Sequence, residues 1–400
     1  MSGKVLVLCE GIWLAHTARP LAIARALRAS GWEVEFGASG KYAALPASEG
    51  FVVHPLATMD PEMALAQVRS ARIGYNRRLV EEYIEDELTL IGRLKPDLVL
   101  NDFRLPLAIS GRLSNVPFVN ILNAYLTNYY APRRRAPHDL WLTKLIGKRA
   151  TTAIMPHIMR FVTNAYARPF NDAAAARGLA AFTNILDVME SPFLNLVCEL
   201  EEFMPVAGAP NTFRYIGPIL WEPNVAAPKW LAAVDETKPI IYFTMGSTGF
   251  AHYYEALKHA FGGTDYQVLI TTGGSADAGV LPANFHVAEL APALAIIEKS
   301  DLVICHGGNG TIYQALSRGV PVLGIPTFHD QDFNMQRVED LGVGKALYPG
   351  ELNGAVLRAT AERLIDDAKV KAAANMLGEK IRATDAPAAA VRHIGEMLRK

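Results

Sequence analysis

Short unbroken apolar runs alternate with longer amphipathic stretches along most of this chain, and that rhythm predicts a parallel α/β architecture. KVLVLC, Lys4 to Cys9, is the first such run. A glycine turn follows, then the alanine- and leucine-rich RPLAIARALRAS, where Pro20 suits a first helical turn and Ser30-Gly31 stops the helix. Trp32 to Phe36 (WEVEF) alternates as a second strand, completing a β-α-β start. The pattern recurs as a helix over residues 80 to 95, the buried strand PDLVLND ending at Asp102, a helix over LAISGRLSN, and the strand VPFVNIL from Val116. Residues 125 to 170 break the rhythm. They hold Tyr125, Tyr129, Tyr130, the run Arg133-Arg134-Arg135 and a long mixed helical region from Trp141, which reads as an insertion of helices and loops at the mouth of the first domain. FRYI reads as a short strand, and GPILWEP, Gly217 to Pro223, suits a connection between domains. A second series then begins near Lys238 with PIIYFTMGS, YQVLITTG, NFHVAEL, SDLVICHGGNGT and VPVLGIP, and the stretch from Ala355 to Lys400 reads as helical.

The chain has 400 residues, more than one ordinary domain. The expected fold is two Rossmann-like domains whose parallel sheets face each other across a cleft. The boundaries read as a first domain over 1–216, a linker over 217–237, a second domain over 238–385, and a closing helix over 386–400 that packs back on the first domain. A formal net charge of -1 argues against a nucleic-acid partner. The three cysteines, Cys9, Cys198 and Cys305, are scattered and form no CxxC pair, which argues against disulfides and zinc and suits a reducing cytoplasm. The N-terminal apolar run is too short for a signal peptide, and no run of about eighteen apolar residues predicts a membrane span. No carboxylate cluster with metal-ligand spacing is present, so no metal or other cofactor is expected.

Two constellations carry candidate chemistry. In the second half, His306-Gly307-Gly308-Asn309-Gly310-Thr311 follows the strand LVIC and opens a helix. Glycines at such a turn bring backbone N–H groups close to an anion, and the helix N-terminus adds its positive end, an arrangement that suits a pyrophosphate. A purely structural glycine turn capped by Thr311 gives the same pattern. The turn matches neither the P-loop nor the dinucleotide fingerprint. Beyond the next strand stand Asp330-Gln331, with Asn334 close behind, whose donors and acceptors suit sugar hydroxyls; Asp330 as a helix N-cap is the structural alternative. In the first half, His16 is expected in the loop after the first strand and Asp102 ends the PDLVLND strand. Two C-terminal strand edges can bring them together as a base and its orienting carboxylate. Asp97 is the competing carboxylate, expected at the opposite edge.

The stretch from Leu290 to Gly344, LAPALAIIEKSDLVICHGGNGTIYQALSRGVPVLGIPTFHDQDFNMQRVEDLGVG, closely resembles the donor-binding signature of the UDP-glycosyltransferase superfamily, glycosyltransferase family 1, in its bacterial macrolide- and flavonoid-type branch with the GT-B fold. Weaker likeness covers nearly the whole chain. The resemblance implies an acceptor-binding first domain and a nucleotide-sugar-binding second domain. It implies that His306, Gly307, Gly308, Asn309, Gly310 and Thr311 hold the diphosphate, that Asp330 and Gln331 bond the transferred hexose, that Leu290, Ala291 and Pro292 pack on the base, and that Gly246-Ser247 lie near the phosphates. It also aligns His16 and Asp102 with the superfamily's catalytic histidine and aspartate, although Ala15 replaces the usual preceding glycine and the following proline is displaced by one. Where the family has a glutamate on the ribose, this chain has Gln314, which opens thymidine- as well as uridine-linked donors.

The expected activity is an inverting, metal-independent transfer of a hexose to a hydroxyl of a small apolar acceptor. Trp13, Phe103, Tyr125 and Tyr129 are candidate acceptor contacts, with packing aromatics as the alternative. The Arg133 to Arg135 run reads as a solvated basic loop, with contact to an anionic membrane surface as the alternative. A non-catalytic nucleotide-sugar-binding protein and a GT-B epimerase are the rival functions. The presence of both His16 and Asp102 argues against the first, and the acceptor-side features together with the Asp330-Gln331 pair argue against the second.

Overall fold

The first apolar run is continuous because it is hidden on both sides. Val5, Val7 and Cys9 are buried in one apolar cluster and Leu6 and Leu8 in another, on opposite faces of the same strand. The computed structural model describes residues 3–64, 74–137, 140–246, 252–274 and 279–399. It divides into two compact units, 1–136 with 141–219 and 385–400, and 137–140 with 220–384.

The first unit is built on seven parallel strands: β1 (Lys4–Cys9), β2 (Glu33–Gly37), β3 (Val52–His54), β4 (Leu98–Asp102), β5 (Phe118–Leu122), β6 (Leu194–Val197) and β7 (Phe213–Tyr215). Their order is β3-β2-β1-β4-β5-β6-β7. The second unit has six parallel strands, β8 (Ile240–Thr244), β9 (Gln267–Thr271), β10 (Phe285–Ala288), β11 (Leu302–Cys305), β12 (Val322–Gly324) and β13 (Gly344–Ala346), in the order β10-β9-β8-β11-β12-β13. In each sheet the winding reverses once, between β1 and β4 and between β8 and β11. Cys9 pairs with Asp102 at the first reversal and Thr244 with Cys305 at the second. The crevice beyond such a pair of strand ends is where ligands of open α/β sheets bind.

β3, β6 and β13 are not among the strands read from the sequence; Val52 in β3 is exposed, and the GKA of β13 carries no apolar run. The first helix also begins earlier than its proline suggests. It spans Leu14–Ala29 with Pro20 inside it, so His16 stands in its opening turn and not in a loop. Pro20 has no N–H to give the His16 carbonyl, and the flanking residues are good enough helix formers to carry the missing bond.

The closing helical region is three helices, Gly354–Asp366, Ala368–Arg382 and Ala386–Met397. The last returns to the first unit, where Ala386, Ala390 and Ile394, four residues apart, enter the same cluster as Leu21, Ile23 and Leu27 of the first helix. Residues 220–237, read from sequence as linker, group with the second unit, and two bonds anchor the start of that segment. Gln314 Nε2 donates to the Trp221 carbonyl at 2.8 Å, and Glu222 accepts the Leu294 N–H at 2.7 Å. The insertion consists of the helices Trp141–Ile146, Lys148–Tyr166 and Arg168–Ala175. The arginine run before it is not uniformly solvated. Arg133 is exposed, whereas Arg134 lies 5.4 Å from the Tyr130 ring centre and donates to the Tyr125 carbonyl at 2.5 Å.

Candidate active site and anion-binding turn

At the first reversal the helix Leu14–Ala29 delivers two side chains, three residues apart on one face, to the end of β4. His16 Nδ1 lies 2.8 Å from Asp102 Oδ1, and the Asp102 side chain is fully buried. A carboxylate only accepts, so the bond between them is donated by Nδ1, and Nε2 lies on the far side of the ring; Arg19 Nη2 also stands 3.2 Å from Nδ1. Arg19 reaches the same carboxylate with two bonds, Nε to Oδ2 at 2.9 Å and Nη2 to Oδ1 at 2.8 Å. Its remaining nitrogen, Nη1, donates to Asn123 Oδ1 at 2.7 Å. A two-pronged guanidinium fixes the plane of a carboxylate, so the oxygen offered to His16 has little freedom. Asp97 belongs to the other edge, where it accepts the backbone N–H of Lys4 at 2.7 Å.

Phe103, directly after Asp102, stacks on the His16 ring with centroids 4.4 Å apart and planes 12° from parallel. It does so from a left-handed backbone, φ 66°, a conformation that costs a bulky residue about 1–2 kcal/mol. Beside this group a small pocket has a mixed wall, with Phe103, Leu105, Leu126, Val188 and Met189 alongside Arg19, Asn101, Asn120 and Asn123. Of the four aromatics expected around an acceptor, Phe103 lines this pocket. Trp13 packs on Ile12 and Met59, and Tyr129 meets Phe213 edge-on at 5.2 Å. The Tyr125 carbonyl receives Arg134, and its ring is not part of the pocket wall. Glu190 follows the helix that carries Val188 and Met189. Burial pushes its carboxyl up to about 7.

Behind the site runs a buried polar network. Arg104 Nε bonds Glu87 Oε1 at 2.9 Å, both side chains being fully buried. Ser110 donates to the other Glu87 oxygen at 2.5 Å, and Arg104 Nη1 donates to the Ala57 carbonyl at 2.9 Å. The guanidinium lies 4.1 Å from the Tyr83 ring centre, and Tyr83 in turn donates to Glu10 at 2.9 Å.

At the second reversal, the residues after β8 and β11 form a tight turn. Gly246 and Gly307 have φ of 60° and 85°. A Cβ on Gly246 would stand 2.8 Å from His306 Cε1, and one on Gly308 would stand 2.4 Å from its Nε2, so the imidazole is clasped between two backbones that admit no side chain. His306 Nδ1 is buried with no hydrogen-bond partner, and desolvation pushes the ring down to about 4. It is therefore uncharged near neutrality and acts as a donor or acceptor, not as a cation.

The helix Asn309–Ser317 starts here with Gly308 as its N-cap, so Thr311 lies inside the first turn and does not cap it. Its first intrahelical bond in this turn runs from Ile312 N–H to the Gly308 carbonyl; the N–H groups before it point out of the helix end. Asn334 Nδ2 donates to the Gly307 carbonyl at 3.0 Å and braces the turn. Asp330 is likewise not a cap: the helix His329–Asp340 has Phe328 as N-cap, and Asp330 is exposed in its first turn. Gln331 is buried, and its side-chain oxygen accepts from Thr327 N–H at 2.9 Å, Thr327 Oγ1 at 3.0 Å and Phe328 N–H at 3.2 Å. Gln314 has one amide N–H committed to Trp221. Ala291 is buried and Leu290 half exposed. Ser247 lies outside the described residues.

Arg19 was invisible as a functional candidate in the sequence. One arginine in an alanine-rich helix reads as a solvated face; only its spacing of three from His16 hinted otherwise.

Residues 255–397 match the family described as erythromycin biosynthesis protein CIII-like, C-terminal domain. A PGL/p-HBAD biosynthesis glycosyltransferase of Mycobacterium tuberculosis is 31% identical over 377 residues, 94% of this chain and 88% of the relative. A PGL/p-HBAD biosynthesis rhamnosyltransferase of Mycobacterium bovis is 30% identical over 377 residues, 94% of this chain and 84% of the relative. Among solved structures, the glycotransferase of kitacinnamycin superposes with a TM-score of 0.76 at 21% identity, covering 99% of both chains. With two doubly wound units and likeness to glycosyltransferases over nearly its full length, the chain belongs to the macrolide-type branch of the UDP-glycosyltransferase superfamily and has the GT-B fold.

Proposed function

We propose that this glycosyltransferase moves a hexose from a uridine or thymidine diphosphate donor to a hydroxyl of a small apolar acceptor, with inversion at the anomeric carbon. The 2.8 Å contact between His16 and the buried Asp102 carries the reading. His16 Nε2 takes the proton of the acceptor hydroxyl while Asp102 balances the imidazolium that forms. The acceptor oxygen bonds to the anomeric carbon from the face opposite the nucleotide, and the carbon–oxygen bond to the diphosphate breaks, its electron pair leaving with the phosphate. The opening N–H groups of the helix Asn309–Ser317 and the neutral His306 receive the charge that develops there. A donor in the hexose class is supported by the rhamnosyl transfer in the name of one relative. The Phe103 ring, stacked on His16 beside the reacting nitrogen, supports an acceptor with an apolar face. With an amide at Gln314 in place of the family's carboxylate, one N–H of which is already spent, a ribose lacking its 2′-hydroxyl loses little, so thymidine-linked donors stand beside uridine-linked ones.

The test is transfer, followed by mass spectrometry, from UDP- and TDP-sugars to a panel of phenols and lipid alcohols, alongside calorimetric titration of UDP and TDP. His306→Ala is expected to weaken nucleotide binding about tenfold or more, the loss of one hydrogen bond to a charged group. Unaltered affinity removes His306 from the diphosphate site. Arg19→Met is expected to lower kcat about tenfold with the KM for donor little changed, because the carboxylate loses the clamp that aims it, and Arg19→Lys recovers only part of the rate. A change confined to KM would instead make Arg19 a binding group.

A further inference from the structure

The insertion helices of the first unit turn apolar side chains outward. Trp141 is 69% exposed, Leu145 71% and Phe161 76%, with Ile146 and Ile154 also exposed. Trp141 and Leu145 are four residues apart, Ile154 and Phe161 seven, so each pair lies on one helix face. In the helix Lys148–Tyr166 the residues that face inward are Thr151 and Met155. Ile158, Met159, Val162 and Tyr166 are half-buried on that same side, so Ile154 and Phe161 are apolar residues on the flank of the helix, beyond the stripe that packs inward.

Charge on the same segment has one sign. From Leu140 to Phe170 the chain carries Lys144, Lys148, Arg149, Arg160 and Arg168 and no aspartate or glutamate, although the whole chain has a net charge of -1. Lys144, Arg149 and Arg160 are exposed among the outward apolar residues. An aromatic and leucine face interleaved with cations matches the two attractions of an anionic bilayer surface, apolar insertion at the acyl boundary and attraction to lipid phosphate. Among the described residues no helix is long and apolar enough to cross a membrane, so such contact lies in the plane of the interface.

We propose that the face formed by Trp141, Leu145, Phe161, Lys144, Arg149 and Arg160 docks the protein on anionic lipid membranes. Trp141, Leu145 and Phe161 enter the headgroup boundary, while the long cationic side chains lie among the phosphates. The inference goes beyond the transfer reaction and does not depend on it, since lipid binding is measured without either substrate.

The test is co-sedimentation of the full chain with vesicles of phosphatidylcholine alone and of phosphatidylcholine mixed with phosphatidylglycerol. The expected result is binding to the mixed vesicles, weakened by salt, and a fall of about tenfold or more in the Trp141→Ala, Phe161→Ala double variant. Lys144→Glu with Arg160→Glu removes the charge attraction at exposed positions and is expected to lower binding similarly. Circular dichroism and thermal unfolding check that the variants keep their fold. Absence of binding, or equal binding to neutral and mixed vesicles, overturns the proposal. So does self-association of the chain without vesicles that the apolar variants abolish, since a second copy would then cover this face.

Discussion

Replacing His16 with alanine is expected to lower glycosyl transfer about a thousandfold or more, while nucleotide binding stays close to that of the unaltered chain. The two measurements separate because His16 belongs to the first unit and the glycine turn proposed to hold the diphosphate to the second. The size of the effect follows from the geometry. Asp102 is fully buried, and its carboxylate meets His16 on one oxygen and Arg19 on both. No other imidazole shares that carboxylate among the described residues, so nothing stands ready to take the proton. Transfer and titration by calorimetry on the same preparation check both halves. Turnover within a few-fold of the parent would remove His16 as the base. Lost nucleotide affinity would point to a disturbed structure.

Glu87→Ala is expected to destabilise the protein by about 3–5 kcal/mol, the cost of stranding the buried Arg104 guanidinium without its partner. Ser110 would lose its acceptor as well. Arg104 also lies two residues beyond Asp102, so the strain reaches the end of β4 and not only the core. Urea unfolding followed by circular dichroism reads the loss. Pairing Glu87→Leu with Arg104→Met should restore much of the stability, because burying two apolar groups costs far less than burying one unpaired charge. If the single variant loses less than about 1 kcal/mol, the guanidinium has found water or another acceptor, and the network matters less than its burial suggests.

How much of this was legible beforehand depended on burial and spacing. β1, β4, β8 and β11 stand out because both faces are covered, and their C-terminal ends carry Asp102, Gly246 and His306. Knowing those strands, the alternation with helices leads to two doubly wound sheets. β3 and β13 lack an unbroken apolar run, Val52 being exposed and Lys345 standing mid-strand, so no pattern marks them. His16 and Asp102 were nominated as a pair, yet the sequence set His16 in a loop because Pro20 was read as a start signal, whereas it is an interior residue of a helix that begins six positions earlier. Partners that depend on folding were beyond reach. Arg19 on Asp102, the Gln331 oxygen in the Thr327–Phe328 turn, and Gln314 on Trp221 all join residues by side-chain direction, which periodicity does not encode. The glycines at 307 and 308 were read for backbone approach to an anion. The structure adds a second reason for Gly308, since a side chain there would collide with His306.

The return of the helix Ala386–Met397 to the first unit bears on biosynthesis. Ala386, Ala390 and Ile394 complete the apolar cluster around Leu21 and Leu27, yet they leave the ribosome after the whole of the second unit. The amino-terminal sheet therefore waits, with part of its surface uncovered, while the carboxy-terminal one is made. A chain stopped just before Asp385 would injure the half of the protein translated first.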